Sequence, residues 1–140
     1  MQTGIDLVKI DSFTKLMDNE TFINNNFNES EINYLHDHYS TQTLAGLYAS
    51  KEALLKALKK GINNYSLKDI EINHDSNSAP YIILHNKIKE DFNVKDISLS
   101  ISHDGDYAIA IVLLIIWIEN IFLICFIPWS IFFIASFIFY

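Results

Sequence analysis

Ile97-Ser98-Leu99-Ser100-Ile101-Ser102-His103-Asp104-Gly105-Asp106-Tyr107-Ala108-Ile109-Ala110-Ile111-Val112 decides how this chain folds. From Ile97 to His103 the residues alternate strictly. Ile97, Leu99 and Ile101 share one face and three serines share the other. Successive side chains of a strand point to opposite faces, so the stretch reads as a half-buried strand. Asp104-Gly105-Asp106 is hairpin-turn chemistry. Tyr107 to Val112 then returns as a nearly continuous apolar run, the pattern of a strand buried on both faces.

Outward from this hairpin, Ile5, Leu7 and Val8 predict a first strand. Residues 67–72 and 80–84 predict two more, joined by the turn chemistry of Asp75-Ser76-Asn77-Ser78. A helix is expected over Ser12–Asp18, a loop at Asn24-Asn25-Asn26, and a helix from the cap-plus-acid pattern Asn28-Glu29-Ser30-Glu31 to about His36. The clearest helix starts near Ser40-Thr41. Leu44, Leu47, Tyr48, Leu54, Leu55 and Leu58 recur along it at spacings of three and four, and Gly61 is its expected stop. A short helix is expected over 86–92. Helices and strands intermix without a βαβ rhythm or an internal repeat, so the predicted class is α+β.

A chain of 140 residues suits one domain, and a net charge of −7 argues against nucleic acid as the main partner. All ten basic residues are lysines and all precede position 96. The single cysteine, Cys125, excludes an internal disulfide and a cysteine-cluster metal site. The N-terminus lacks a basic region followed by an apolar run, so a cytoplasmic location is expected.

Two acids stand out. Asp6 lies inside an apolar strand, where a lone carboxylate is costly unless paired or metal-bound. It can equally cap a turn or pair with a lysine. Glu52 sits mid-helix, four residues before Lys56, and a surface ion pair is its bland reading. If both acids meet, two carboxylates can hold a hard cation such as Mg²⁺, which prefers oxygen ligands and keeps several waters. Lys51 and Lys56 would then neutralise charge on a transferred group. His103 ends a strand, where a structural hydrogen bond and a phosphate contact are both open. His36 and His38 read as a solvated helix end, and His74 and His85 show no constellation.

Taken in order, these segments resemble one family. Gly4-Ile5-Asp6-Leu7-Val8, Phe22 to Tyr34 with Phe27 and Glu31, Leu44 to Ala53 with Lys56-Ala57-Leu58, Asp69 to Ile72, Pro80-Tyr81-Ile82, and Leu99 to Asp104 running into Tyr107-Ala108-Ile109-Ala110 are similar to the motifs of the holo-[acyl-carrier-protein] synthases, within the 4'-phosphopantetheinyl transferase superfamily. The likeness covers roughly residues 3 to 113. It implies a small domain with an antiparallel sheet and a long signature helix. It also implies transfer of 4'-phosphopantetheine from coenzyme A to a serine of acyl carrier protein in fatty acid biosynthesis, releasing adenosine 3',5'-bisphosphate. By motif position, Asp6 and Glu52 would hold Mg²⁺. Glu52 and Lys51 would be catalytic, and Lys51, Lys56, Gly61, Ser102 and His103 would contact coenzyme A. A homotrimer, with two chains contributing to each site, is implied as well.

The chain departs from the pattern in places. Lys59-Lys60-Gly61 stands where Gly-Thr-Gly is usual, and Ser78-Ala79-Pro80 replaces Gly-Lys-Pro. Ser12 and Asn25 stand where basic residues normally meet the acidic carrier, so weaker carrier binding is expected, with Lys9 and Lys15 taking over part of the task. The largest departure is the tail. The predicted domain ends near 116, and 117–140 is a hydrophobic tail whose residues 121–140 carry no charge. Twenty such residues suffice to cross a bilayer. A membrane anchor, the product of a shifted reading frame and an extra packed helix are three open readings of it. Two other functions also stay open: a catalytically defective, membrane-tethered binding protein that keeps the fold, and a transferase serving peptide- or polyketide-synthesis carriers.

Overall fold

The computed structural model describes residues 1–60 and 65–117. The expected stop at Gly61 and the tail beyond Trp117, with its anchor, frameshift and helix readings, lie outside these residues. Among the described residues no helix is long and apolar enough to cross a membrane.

The strands are β1 (Gln2–Lys9), β2 (Ile70–His74), β3 (Pro80–Leu84), β4 (Val94–Asp104) and β5 (Tyr107–Ile116). The helices are α1 (Glu20–Asn26), α2 (Glu29–Asp37), α3 (Thr41–Ala57) and α4 (Asn86–Asp91). Short 3-10 turns occupy Ile10–Phe13 and Leu67–Asp69. The hairpin chemistry read at 97–112 builds the centre of the larger sheet, which runs β1-β5-β4 with antiparallel neighbours. Gly105 turns the β4–β5 hairpin at φ +53°, a conformation that costs a residue without Cβ little. β2 and β3 pair separately. The class is α+β, as predicted.

α3 covers the inner face of the larger sheet. Ala108, Ala110, Val112 and Leu114 of β5 lie fully buried beneath it, against Leu44, Leu47, Ala53 and Leu54. Small residues on the strand let the helix sit close. The closest approach is at Gly4, where a Cβ would fall 1.9 Å from the Ala53 carbonyl oxygen. Ser40 caps α3 by accepting from the Thr43 N–H at 3.2 Å, and Asn28 and Glu31 form the capping box of α2.

Three local expectations are corrected. Asn24 to Asn26 belong to α1, because the Asn19 side chain caps the Phe22 N–H at 3.0 Å and starts a helix there. The helix expected over Ser12–Asp18 shrinks to the 3-10 turn and the turns after it, since Phe13 must point into the core against Phe22 and Tyr48. β5 is buried on one face only. In a single chain Ile111 and Leu113 stay 40% and 41% exposed, beside Ile5 and Leu7 of β1.

Candidate active site

β1 alternates Ile5 and Leu7 outward with Gly4 and Asp6 inward, which carries the Asp6 carboxylate under α3. Glu52 descends from the middle of α3 onto the same spot. Burial first, and then the nearby Asp6 charge, push the Glu52 carboxyl above the usual carboxylate range; a hydrogen bond from Tyr48 and the Lys56 charge pull the other way. One Glu52 oxygen, Oε1, is buried with no hydrogen-bond partner among the described residues. The Tyr48 hydroxyl is itself raised, by burial and then by the charges of Glu52 and Asp6. Lys56 completes the group: its Nζ lies 2.6 Å from Asp6 Oδ1, with the Lys56 side chain 53% and the Asp6 side chain 11% exposed. Asp6 thus pairs with a lysine and also faces a second acid.

This donor set suits a hard divalent cation. The Asp6 charge adds to the cost of ionising Glu52, and an orphaned carboxylate oxygen is an acceptor waiting for a positive partner. No three His, Cys, Asp or Glu side chains gather as a full protein cage among the described residues. Mg²⁺ does not need one, because it takes one or two carboxylates and completes its shell with water and substrate phosphate.

Lys51 does not join this group. It is fully buried, and its Nζ donates to Glu31 Oε2 at 2.7 Å, to the Asn26 carbonyl at 2.9 Å and to the Leu67 carbonyl at 2.9 Å. All three ammonium hydrogens are used, so the expectation that Lys51 touches a phosphate or acts in catalysis is corrected. Burial pushes the Lys51 ammonium down and the Glu31 carboxyl up, and each partner's charge opposes the other's shift. The signal was present in the sequence. Lys51 falls on the same stripe as Leu44, Leu47, Leu54, Leu55 and Leu58, so the helix period itself buries it.

Ser102 and His103 lie near the end of β4, on the far edge of the sheet from β1. His103 pairs with Ala108, which pairs with Val8. Two strand spacings, about 10 Å, therefore separate the backbone at His103 from β1. His103 lines a cleft of about 280 Å³ with Tyr34, Ser40, Gly46, His74 and Ile101. Within it Tyr34 is stacked between His38 and His74, at centroid distances of 4.2 Å and 4.3 Å. Burial and then the His38 charge lower the His74 imidazole. This ring stack escaped the sequence reading, because β2 and the end of α2 meet only in the fold. So did His85, whose Nε2 lies 2.6 Å from Glu71 Oε2, while Ser30 Oγ donates to Glu71 Oε1 at 2.6 Å. That trio is no nucleophilic triad, since the serine bonds the carboxylate and not the imidazole that would have to take its proton.

Known proteins share the fold. A family model described as the 4'-phosphopantetheinyl transferase superfamily matches residues 2–112. The holo-[acyl-carrier-protein] synthase of Sulfurimonas denitrificans is 43% identical over 112 residues, covering 78% of this chain and 90% of that protein. The synthase of the same name from Caldicellulosiruptor saccharolyticus is 37% identical over 111 residues, covering 76% and 89%. The crystal structure of Helicobacter pylori holo-[acyl-carrier-protein] synthase in complex with coenzyme A superposes with a TM-score of 0.74 at 36% identity, covering 81% of this chain and 99% of that one.

Proposed function

The chain belongs to the 4'-phosphopantetheinyl transferase superfamily, and from that premise we propose that it transfers 4'-phosphopantetheine from coenzyme A to a serine of acyl carrier protein, in fatty acid biosynthesis. The observation that carries the reading within this molecule is the meeting of Asp6, Glu52 and Lys56, with Glu52 Oε1 left without a partner. In the reaction, the carrier serine oxygen attacks the pantetheine-side phosphorus of the pyrophosphate. The phosphoanhydride P–O bond breaks, a phosphodiester forms, and adenosine 3',5'-bisphosphate leaves.

Asp6 and Glu52 are the residues that would hold Mg²⁺. When bound, the ion supplies charge neutralisation at the pyrophosphate. Lys56 is exposed and its ion pair among the described residues is with Asp6, so it can swing from that carboxylate to a phosphate oxygen and add its charge there. Glu52 would also hold the water that takes the serine proton. Tyr48 stands beside Glu52 from within the aromatic packing of Phe13 and Phe22. Gly61 keeps its proposed place beside the nucleotide.

Ser102 and His103 are proposed to serve a coenzyme A held mainly by another copy of the chain. Two features support a homotrimer with shared sites: the apolar outer face of β1 and β5, and the placement of His103 on the opposite sheet edge from Asp6. The proposed location is the cytoplasm. Membrane association through 121–140 is a separate proposal about the tail.

The test is product formation. The full chain with coenzyme A, Mg²⁺ and apo carrier should release adenosine 3',5'-bisphosphate only when all three are present. Glu52→Gln retaining full activity at saturating Mg²⁺ would remove both roles given to Glu52.

A further inference from the structure

We propose that the buried Glu31–Lys51 pair is a positioning device that sets where Glu52 stands relative to Asp6; the inference rests on the functional reading above. Lys51, Glu52 and Ala53 are consecutive in α3, so their side chains leave the helix about 100° apart. Lys51 points to one side. There its Nζ ties together the last residue of α1 through the Asn26 carbonyl, the 3-10 turn through the Leu67 carbonyl, and Glu31 of α2. Glu31 in turn accepts from the Asn28 N–H at 3.0 Å and from the Ile72 N–H of β2 at 3.0 Å. One ion pair therefore joins α1, α2, α3, the 3-10 turn and β2.

Ala53 points to the other side. Its carbonyl meets Gly4 of β1 so closely that a Cβ on Gly4 would fall 1.9 Å from it and 2.5 Å from the Ala57 nitrogen. β1 also carries Asp6. The turn of α3 holding Glu52 is thus fixed from two flanks, by a polar joint and by backbone contact, and Glu52 projects between them. A burial-only purpose would be met better by apolar side chains, because desolvating two charges costs more than packing isosteres of the same volume. What the ion pair adds is a unique rotation and depth for α3: Nζ finds its three acceptors at only one setting of the helix. Losing the contacts that orient a metal ligand typically weakens metal binding by about 10–100-fold.

The test compares the wild-type chain, Asp6→Asn, Glu31→Gln and the apolar double variant Glu31→Leu/Lys51→Met. Mn²⁺ binding is read by electron paramagnetic resonance, alongside thermal unfolding and transfer kinetics. The double variant should unfold near the wild-type temperature yet bind Mn²⁺ about tenfold or more weakly, in the range seen when supporting contacts of a metal site are removed. Its kcat should fall more than its KM for coenzyme A rises. A folded double variant that binds Mn²⁺ within about twofold of wild type would overturn the positioning role, since that is far below the effect of losing such support. If the double variant does not fold, Glu31→Gln decides: it keeps the side-chain shape, but its amide nitrogen cannot accept, so the charge is lost together with the bonds made at one of the two oxygens, and a wild-type Mn²⁺ affinity there equally overturns the role. A wild-type chain that binds no Mn²⁺ and transfers nothing would instead bring down the functional reading, and this role with it.

Discussion

Glu52 is the residue on which stability and function pull apart. Its folded proton affinity lies above the ordinary carboxylate value of 4.5, from burial and then from Asp6. The native state therefore holds the proton more tightly than the unfolded chain. The stability this gives is full below the unfolded pKa and is lost as pH rises through the folded one. At neutral pH, without metal, Glu52 is a burden on the fold. Glu52→Gln should melt at a higher temperature than wild type in the presence of a chelator, while transfer falls about a thousandfold or more, as several kcal/mol of transition-state stabilisation disappear. The two motif lysines separate in the opposite way. Lys51→Met leaves Glu31 charged and unpaired in the core and should cost about 3–5 kcal/mol in denaturant unfolding. Lys56→Met removes the exposed partner of the buried Asp6 and should cost less than Lys51→Met does, with its effect showing in turnover. Asp6 and Glu52 were legible in the sequence because a carboxylate in an apolar strand and an acid in a signature helix are visible anomalies. Lys51 was misread because its charge outweighed its position on the apolar stripe.

At the scale of elements, the sheet hairpin, α2 and α3 could be read directly, since alternation, a capping box and helical spacing are local signals. α1 could not: its three asparagines have loop chemistry, and only the Asn19 cap and the packing of Phe22 and Phe27 against the core make it a helix. The α3–β1 contact was equally invisible, because nothing local marks Gly4 as touching a helix backbone 49 residues away. That contact carries a prediction. Gly4→Ala must push β1 from α3, and should destabilise the chain by about 3 kcal/mol or more, the upper end for overpacking. Urea unfolding measures it. A change below half a kilocalorie would mean that the contact yields easily.

At the scale of the whole molecule the main feature lies on the outside. Ile5 and Leu7 of β1 continue into Ile111, Leu113 and Ile115 of β5 as one exposed apolar face, while the serines of β4 border it. The alternation of these strands was legible, but what covers β5 on its outer face was not, since one chain does not contain it. In the proposed trimer this face is the interface, and the site needs residues from two copies. Ile111→Asp should then convert the assembly to monomers by sedimentation and reduce transfer at least tenfold, the smallest loss expected when a site loses part of its positioning shell. A monomeric Ile111→Asp protein with full activity would refute site sharing. The central claim is more direct still, and intact-mass spectrometry of apo acyl carrier protein tests it. After incubation with the full chain, coenzyme A and Mg²⁺, the carrier should gain the mass of one phosphopantetheine on its serine, and the gain should vanish with Asp6→Asn. A carrier whose mass stays unchanged, under conditions where a known holo-[acyl-carrier-protein] synthase loads it fully, would contradict the account.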